Sequence, residues 1–319
     1  MRWRPAPALS LALALIVIRA PANPAGAQTG PAEYSRQSDV IYGRKFGLAL
    51  TMEVFAPAKP RGLGVVWVVS SSGKSSREQT PQPSFERRIL PLLQHGYTVF
   101  AVIHGSSPAF QVQDYVQDAR RAVRFVRHRA TELCIDAQRL GIGGSSAGGL
   151  VALMIAMSNQ DGDGASDDGV ERVSSRVQAV GCFFSPTDLM DFGETSENIL
   201  DFLGRRYGVV DPSFQFYDVD QKSGARTLIT DREHVLGMLR EMSPVTHVTA
   251  DDPPTILIHG DEDSVIPLQQ SRQLVDRLNK VKVAARLVVR EGMGHAWSGW
   301  ESDSALIAEW FDAHLRRVH

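Results

Sequence analysis

Residues 141–150 read Gly-Ile-Gly-Gly-Ser-Ser-Ala-Gly-Gly-Leu, "GIGGSSAGGL", and run directly into the apolar stretch "LVALMIAM". Glycine and serine build neither strands nor helices well. The stretch therefore reads as a sharp turn between a strand over 139–144 and a helix from about 147. Within it, Gly144-x-Ser146-x-Gly148 has the spacing of a nucleophile elbow. A serine at the tip of such a turn holds a strained backbone and projects its hydroxyl from the sheet. The positions two residues either side must lack side chains, or strand and helix collide. The N-terminus of the following helix favours an oxyanion. Ser146 is thus the candidate nucleophile and Ser145 the variable residue before it. A glycine-rich turn that merely packs closely is the competing reading, and the flanking segments decide between them.

Those segments alternate. "GVVWVVS" (64–70), "YTVFAVI" (97–103), "RLGIGG" (139–144), "VQAVGCFF" (177–184), "PTILIHG" (254–260) and "ARLVVRE" (285–291) read as strands, most of them continuously apolar as in strands covered on both faces. Val112, Val116, Ala119, Val123 and Val126 recur at helical spacing, and "PLQQSRQLVDRLNK" and "SALIAEWFDAHLRRV" follow the same pattern. This order predicts an α/β fold, a mostly parallel twisted sheet with helices on both faces. "DVIYG" and "LALTMEVFAP" predict an antiparallel hairpin that opens it. The polar stretch 158–175 does not have the acidic spacing of an EF-hand and reads as a solvated loop. Residues 187–250 form an insertion with short helices in "GETSENILDFLGRRYG" and "DREHVLGMLREMSP", either a lid or substrate-shaping insertion or a structural excursion.

An attacking serine needs a base, and a histidine base needs a carboxylate that fixes its tautomer. In this architecture the chain order is Ser, then Asp or Glu, then His. "ILIHGDEDSVIP" places Asp261, Glu262 and Asp263 just past one strand, and "VVREGMGHAWSG" places His295 just past the next. Both lie at carboxyl ends of strands, where open parallel sheets build their sites. His259, within a strand end, reads as structural; His104 in "VIHGSS" is a candidate for the pocket wall.

From Gly64 onward the chain resembles the α/β-hydrolase superfamily, close to the esterase branch of acetylxylan, feruloyl and hormone-sensitive-lipase-like enzymes. "GGSSAGG", "HGDEDSVIP" and "GMGHAW" carry the resemblance. It implies a single α/β-hydrolase domain over 28–319 with the insertion at 187–250. It also implies a triad of Ser146, His295 and Asp263, with Asp261 left to shape its loop. The family's usual "HGGG" oxyanion loop is replaced by "SSSGKSS" (70–76), so the backbone N–H groups of Ser71, Ser72 and Ala147 are the expected oxyanion donors. The reaction implied is hydrolysis of carboxylic esters through an acyl-enzyme, on carbohydrate or small esters, with no cofactor and no metal. A small serine peptidase resembling the prolyl-oligopeptidase catalytic domain, or a non-catalytic binding protein on the same scaffold, are the rival readings.

The N-terminus differs from the rest. "MRWRP", "ALSLALALIVI" and "APANPAGA" give basic, apolar and small-residue regions in the layout of a secretory signal ending at Ala27. This predicts a secreted or periplasmic protein with no membrane span after cleavage. Removing residues 1–27 takes Arg2, Arg4 and Arg19 with it, leaving 31 basic against 36 acidic residues, a net charge of −5. Such a surface excludes nucleic acid as a partner class. Cys134 and Cys182 are the only cysteines. They read as two free thiols, with Cys182 a small hydrophobe in "VGCFF".

Overall fold

The computed structural model describes residues 34–316 except 194, 209, 210, 221, 222 and 224. The expected secretory signal at 1–27 lies outside the described residues. An antiparallel hairpin, β1 (Tyr34–Lys45) and β2 (Leu48–Pro57), opens the sheet as the sequence predicted. There follow β3 (Leu63–Val69), α1 (Pro83–Gln94), β4 (Tyr97–Ile103), α2 (Val112–His128), β5 (Leu140–Ser145), α3 (Ala147–Met157) and β6 (Ala179–Phe183). The segment 187–250 carries α4 (Ile199–Tyr207), the small hairpin β7 (Tyr217–Val219) and β8 (Arg226–Leu228), and α5 (Arg232–Glu241). The chain closes with β9 (Thr255–Gly260), α6 (Gln269–Lys280), β10 (Ala285–Arg290) and α7 (Ser304–Leu315).

Eight strands form one sheet in the order β1-β2-β4-β3-β5-β6-β9-β10. Strand β2 is antiparallel to both its neighbours, and every pairing from β4 to β10 is parallel. The uninterrupted apolar strands are explained by burial on both faces. Val66 and Val68 of β3 belong to the core beneath α2, α3 and α6, while Val65, Trp67 and Val69 belong to the core beneath α1 and α7. Alternate residues thus feed opposite layers. Helix α3, apolar all round, is buried at ten of its eleven positions. No described helix is long and apolar enough to cross a membrane.

Helix α1 is absent from the sequence-predicted elements. Its apolar residues Phe85, Ile89, Leu92 and Leu93 do recur at helical spacing and are buried, but Pro91 stands inside the helix. A proline in the last turn removes the N–H that would otherwise donate to the carbonyl at position 87, and the helix ends three residues later, at Gln94. Because α1 and α2 lie on opposite faces, the order β4-β3-β5 makes a topological switch point. Open α/β sheets place ligands outside the strand carboxyl ends there. The loops after β3 and β5 both emerge at that point.

The loop over 158–175 is tied down through its acids. Arg121 pairs with Asp168 at 2.7 Å and with Glu171 at 2.5 Å, and Arg124 also reaches Glu171. Among the described residues, no group of three or more His, Cys, Asp or Glu side chains could hold a metal ion.

Candidate active site

Ser146 stands between the last residue of β5 and the first of α3, with φ 54° and ψ −126°. A positive φ at a non-glycine residue costs on the order of 1–3 kcal/mol and persists only where its surroundings enforce it. The enforcement is visible. The Ser146 N–H donates to the Phe183 carbonyl at 3.0 Å, and its carbonyl accepts the Leu150 N–H at 3.1 Å. A Cβ on Gly144 would sit 2.5 Å from the Gly148 backbone, and one on Gly148 would sit 2.4 Å from the Val68 carbonyl oxygen. These distances are well inside van der Waals contact, so the two outer positions of the motif admit only glycine. Strand, turn and helix are packed backbone to backbone.

The loops after β9 and β10 are bound to each other just as closely. The Glu262 N–H donates to the Met293 carbonyl at 2.9 Å, and the Asp261 carboxylate accepts the Gly292 N–H at 2.7 Å. Asp261 is exposed and does not meet a histidine; it fixes the turn that leads to His295. Asp263 has a buried side chain. Its Oδ1 accepts the N–H groups of Val265 and Ile266, both at 2.9 Å, and its Oδ2 lies 2.8 Å from His295 Nδ1. Burial by itself would raise the Asp263 carboxyl. The bonds from His259 and His295, the charge available on His295 and the Ile266 N–H outweigh it and hold the group well below the usual carboxylate range. A carboxylate only accepts, so His295 carries its proton on Nδ1 and presents an unprotonated Nε2.

His259 is wholly buried, as its place in a strand end suggested. Its Nε2–H donates to the Ile266 carbonyl at 2.8 Å and lies 3.3 Å from Asp263 Oδ2, and its Nδ1 is 2.7 Å from the Ser271 hydroxyl. It holds the Asp263 loop.

The expected oxyanion donors divide. Ser71 and Lys74 exchange both backbone bonds, N–H to carbonyl at 2.8 and 2.9 Å, around Ser72 and Gly73 at φ 47° and 69°. This is a two-residue turn of the primed type, with positive φ at both central positions. Its closure spends the Ser71 N–H on the Lys74 carbonyl, so Ser71 is not a donor to the site, contrary to the sequence expectation. No described acceptor takes the N–H of Ser72 or Ala147. Ser72 borders Ser146 in two adjoining cavities, and Ala147 borders it in one of them.

The larger cavity, about 380 Å³, holds Ser146 and His295 together. Its walls carry the hydroxyls of Ser70, Ser71 and Ser84 and the amides of Gln79 and Gln82, with Arg88 and Trp300 at one side. The smaller one, about 110 Å³, is a mainly apolar recess that includes Ser146 and Ala147 but not His295. Phe184 stands edge-on to His295 at 4.5 Å and to Trp300 at 5.2 Å, and the Arg88 guanidinium lies 3.8 Å from the Trp300 ring centre. Sequence reading missed this aromatic frame. Phe184 looked like strand core, and Trp300 and Arg88 sit on elements that show no motif.

His104 does not line either cavity. It is buried, stacks on Tyr115 at 4.3 Å, and donates from Nδ1 to the Gly105 carbonyl at 2.6 Å. Burial pushes its imidazole down to about 4, with the bond to Gly105 opposing and Lys45 adding a smaller push. An unfolded histidine titrates near 6.5. Between the two values the unfolded chain binds the extra proton, so stability falls as pH drops from about 6.5 to 4. At roughly 1.4 kcal/mol per unit, wild type should lose about 2 kcal/mol more than His104→Gln between pH 7 and 4.5. Denaturant midpoints of the two proteins at both pH values measure this; equal losses would count against it. Both cysteines are free thiols, Cys134 exposed and Cys182 buried, and burial above all pushes the Cys182 thiol up to about 12.

The sheet order, the elbow after β5 and the site at the strand carboxyl ends define an α/β-hydrolase fold. The chain belongs to the BD-FAE family, whose model matches residues 52–278. A carbohydrate esterase from gut microbiota, in truncated form, superposes with a TM-score of 0.69 at 23% identity, over 88% of this chain and 96% of that one. The thermophilic esterase Est2 of Thermogutta terrifontis superposes with a TM-score of 0.63 at 22% identity, over 88% and 91%. In sequence, the probable carboxylic ester hydrolase LipM of Mycobacterium tuberculosis is 26% identical over 78% of this chain. The chain spans about half of that relative's length, 53%.

Proposed function

We propose that the chain is a serine hydrolase that cleaves carboxylic esters by acyl transfer. The observation that carries the reading is one cavity holding Ser146 at a strained elbow together with His295, whose Nδ1 is bound to the buried Asp263. His295 Nε2 takes the Ser146 proton as Oγ bonds to the ester carbonyl carbon. The oxyanion that forms is held by the N–H groups of Ser72 and Ala147 at the start of α3. As the intermediate collapses, the bond to the alcohol oxygen breaks and that oxygen receives the proton from His295. Water, deprotonated by His295, then attacks the acyl-enzyme, releasing the carboxylic acid and restoring Ser146. Asp263 stays ionised throughout and holds the imidazole in one tautomer.

The named relatives, esterases and a carbohydrate esterase, support ester substrates over amides. The hydroxyl and amide side chains of the 380 Å³ cavity suit a polyhydroxylated alcohol, so acylated carbohydrate is the substrate class. The basic, apolar and small-residue regions of 1–27 support export, which would bring such an enzyme to extracellular polysaccharide.

The test is turnover of p-nitrophenyl acetate as a function of pH. A histidine base works only when neutral, so kcat/KM should rise about tenfold per unit at low pH. It should level off once the base is fully neutral. A rate that is flat from pH 5 to 8 would count against the base, and no turnover at all would favour a scaffold that binds without cutting.

A further inference from the structure

The two cavities that meet at Ser146 are not equivalent, and the proton transfers of an ester hydrolysis decide what each must hold. The leaving alcohol oxygen receives its proton from His295, so the alcohol must depart on the His295 side. His295 lines the 380 Å³ cleft and not the recess. The carbonyl oxygen points to the Ser72 and Ala147 N–H groups. The remaining substituent of the carbonyl carbon, the acyl chain, is then left with the recess, which borders Ser146 and Ala147.

Size and chemistry fit that division. The recess is walled by Leu150 and Val151 of α3, Ile199 and Leu203 of α4, Phe214 and Ile266. Its polar neighbours already have partners: the Tyr115 hydroxyl donates to the Phe110 carbonyl, outside the recess, at 2.9 Å, and the Ser213 N–H donates to the Asp211 carboxylate at 2.8 Å. At about 110 Å³ it is smaller than the roughly 150 Å³ apolar cavity known to admit one benzene ring, and it holds three to four groups of about 30 Å³. That volume favours a short aliphatic acyl group over an aromatic one.

We propose that the recess is the acyl site and the cleft the alcohol site, so that this enzyme takes aliphatic acyl groups of up to about four carbons on a large polar alcohol. The inference rests on the ester-hydrolase reading above. It also gives the 187–250 segment a role in specificity, since Ile199 and Leu203, one turn apart on α4, and Phe214 supply the far wall and set chain length.

The experiment compares kcat/KM for p-nitrophenyl acetate, butyrate, octanoate and cinnamate with wild type, Leu203→Ala and Leu203→Phe. Leu203 is only partly buried, so both variants should fold. In wild type kcat/KM should fall at least 100-fold from butyrate to octanoate, with cinnamate lower still, since a single methylene of misfit in an apolar pocket is worth tenfold or more. Leu203→Ala should raise the octanoate-to-acetate ratio at least tenfold, and Leu203→Phe should lower the butyrate-to-acetate ratio. Wild type preferring octanoate or cinnamate, or both variants keeping the wild-type profile, would overturn the assignment while leaving the hydrolase reading intact. If no ester is cleaved and no fluorophosphonate bonds to Ser146, the hydrolase reading itself fails and the acyl site falls with it.

Discussion

Replacing Ser146 by alanine should lower kcat for p-nitrophenyl acetate by about 10⁶-fold and abolish covalent labelling by a fluorophosphonate. Losing the attacking oxygen of a serine triad costs on that order, and only binding and oxyanion stabilisation remain. Ser145, one residue earlier, is the control. It ends β5 and its side chain is partly exposed in the same cleft, but its backbone belongs to the strand. Ser145→Ala should keep the label and lose less than about tenfold in rate. Only Ser146 has the positive φ of the turn and, two residues to either side, a position that must be glycine. If Ser145→Ala were the inactive protein and Ser146→Ala the active one, the elbow would have been read one residue out of place.

The second large effect separates two aspartates two residues apart. Asp263→Asn should cost about 10⁴-fold in kcat, the scale seen when a triad acid is replaced by its amide. Here the reason can be traced atom by atom. Oδ1 of Asp263 accepts two backbone N–H groups, from Val265 and Ile266, and Oδ2 faces His295 Nδ1. An asparagine would keep its oxygen toward the two N–H groups and turn its NH₂ toward His295. The imidazole must then accept at Nδ1 and carry its proton on Nε2, where it cannot take one from Ser146. Asp261→Asn retains an oxygen for the Gly292 N–H and should change kcat by only a few-fold. Steady-state kinetics on the two variants, with circular dichroism to confirm folding, distinguish them, and equal losses would sink the assignment of Asp263.

Why the sheet and the three candidate site residues can be proposed without coordinates is itself a physical matter. Strands buried on both faces must be continuously apolar, and "VVWVV", "TVFAVI" and "TILI" could satisfy no other environment. The Gly144-x-Ser146-x-Gly148 pattern is equally local, since a backbone in contact with a backbone excludes every Cβ. The strand ends bring Asp261, Glu262 and Asp263 to the same edge as His295, because a parallel sheet delivers all its carboxyl ends there, and the family resemblance singles out Asp263 among the three.

Which way a loop folds, and which distant segments meet around the site, leave no such trace. That Ser71 closes a turn on Lys74, removing its N–H from the site while Ser72 keeps its own, depends on which way one loop of four residues folds. That Phe184 of one loop, Trp300 of another and Arg88 of α1 frame His295 depends on three elements meeting over 200 residues of chain. His104 looked like a wall of the pocket from its neighbours, but it is packed under Tyr115. The sheet, the elbow and the order of the reacting groups are legible in the residues alone, because each is imposed by local backbone geometry and solvent exclusion. The two cavities, their unequal sizes and the part of 187–250 that walls the smaller one emerge only when the chain is folded, because a volume is bounded by side chains from many segments and is written in none of them.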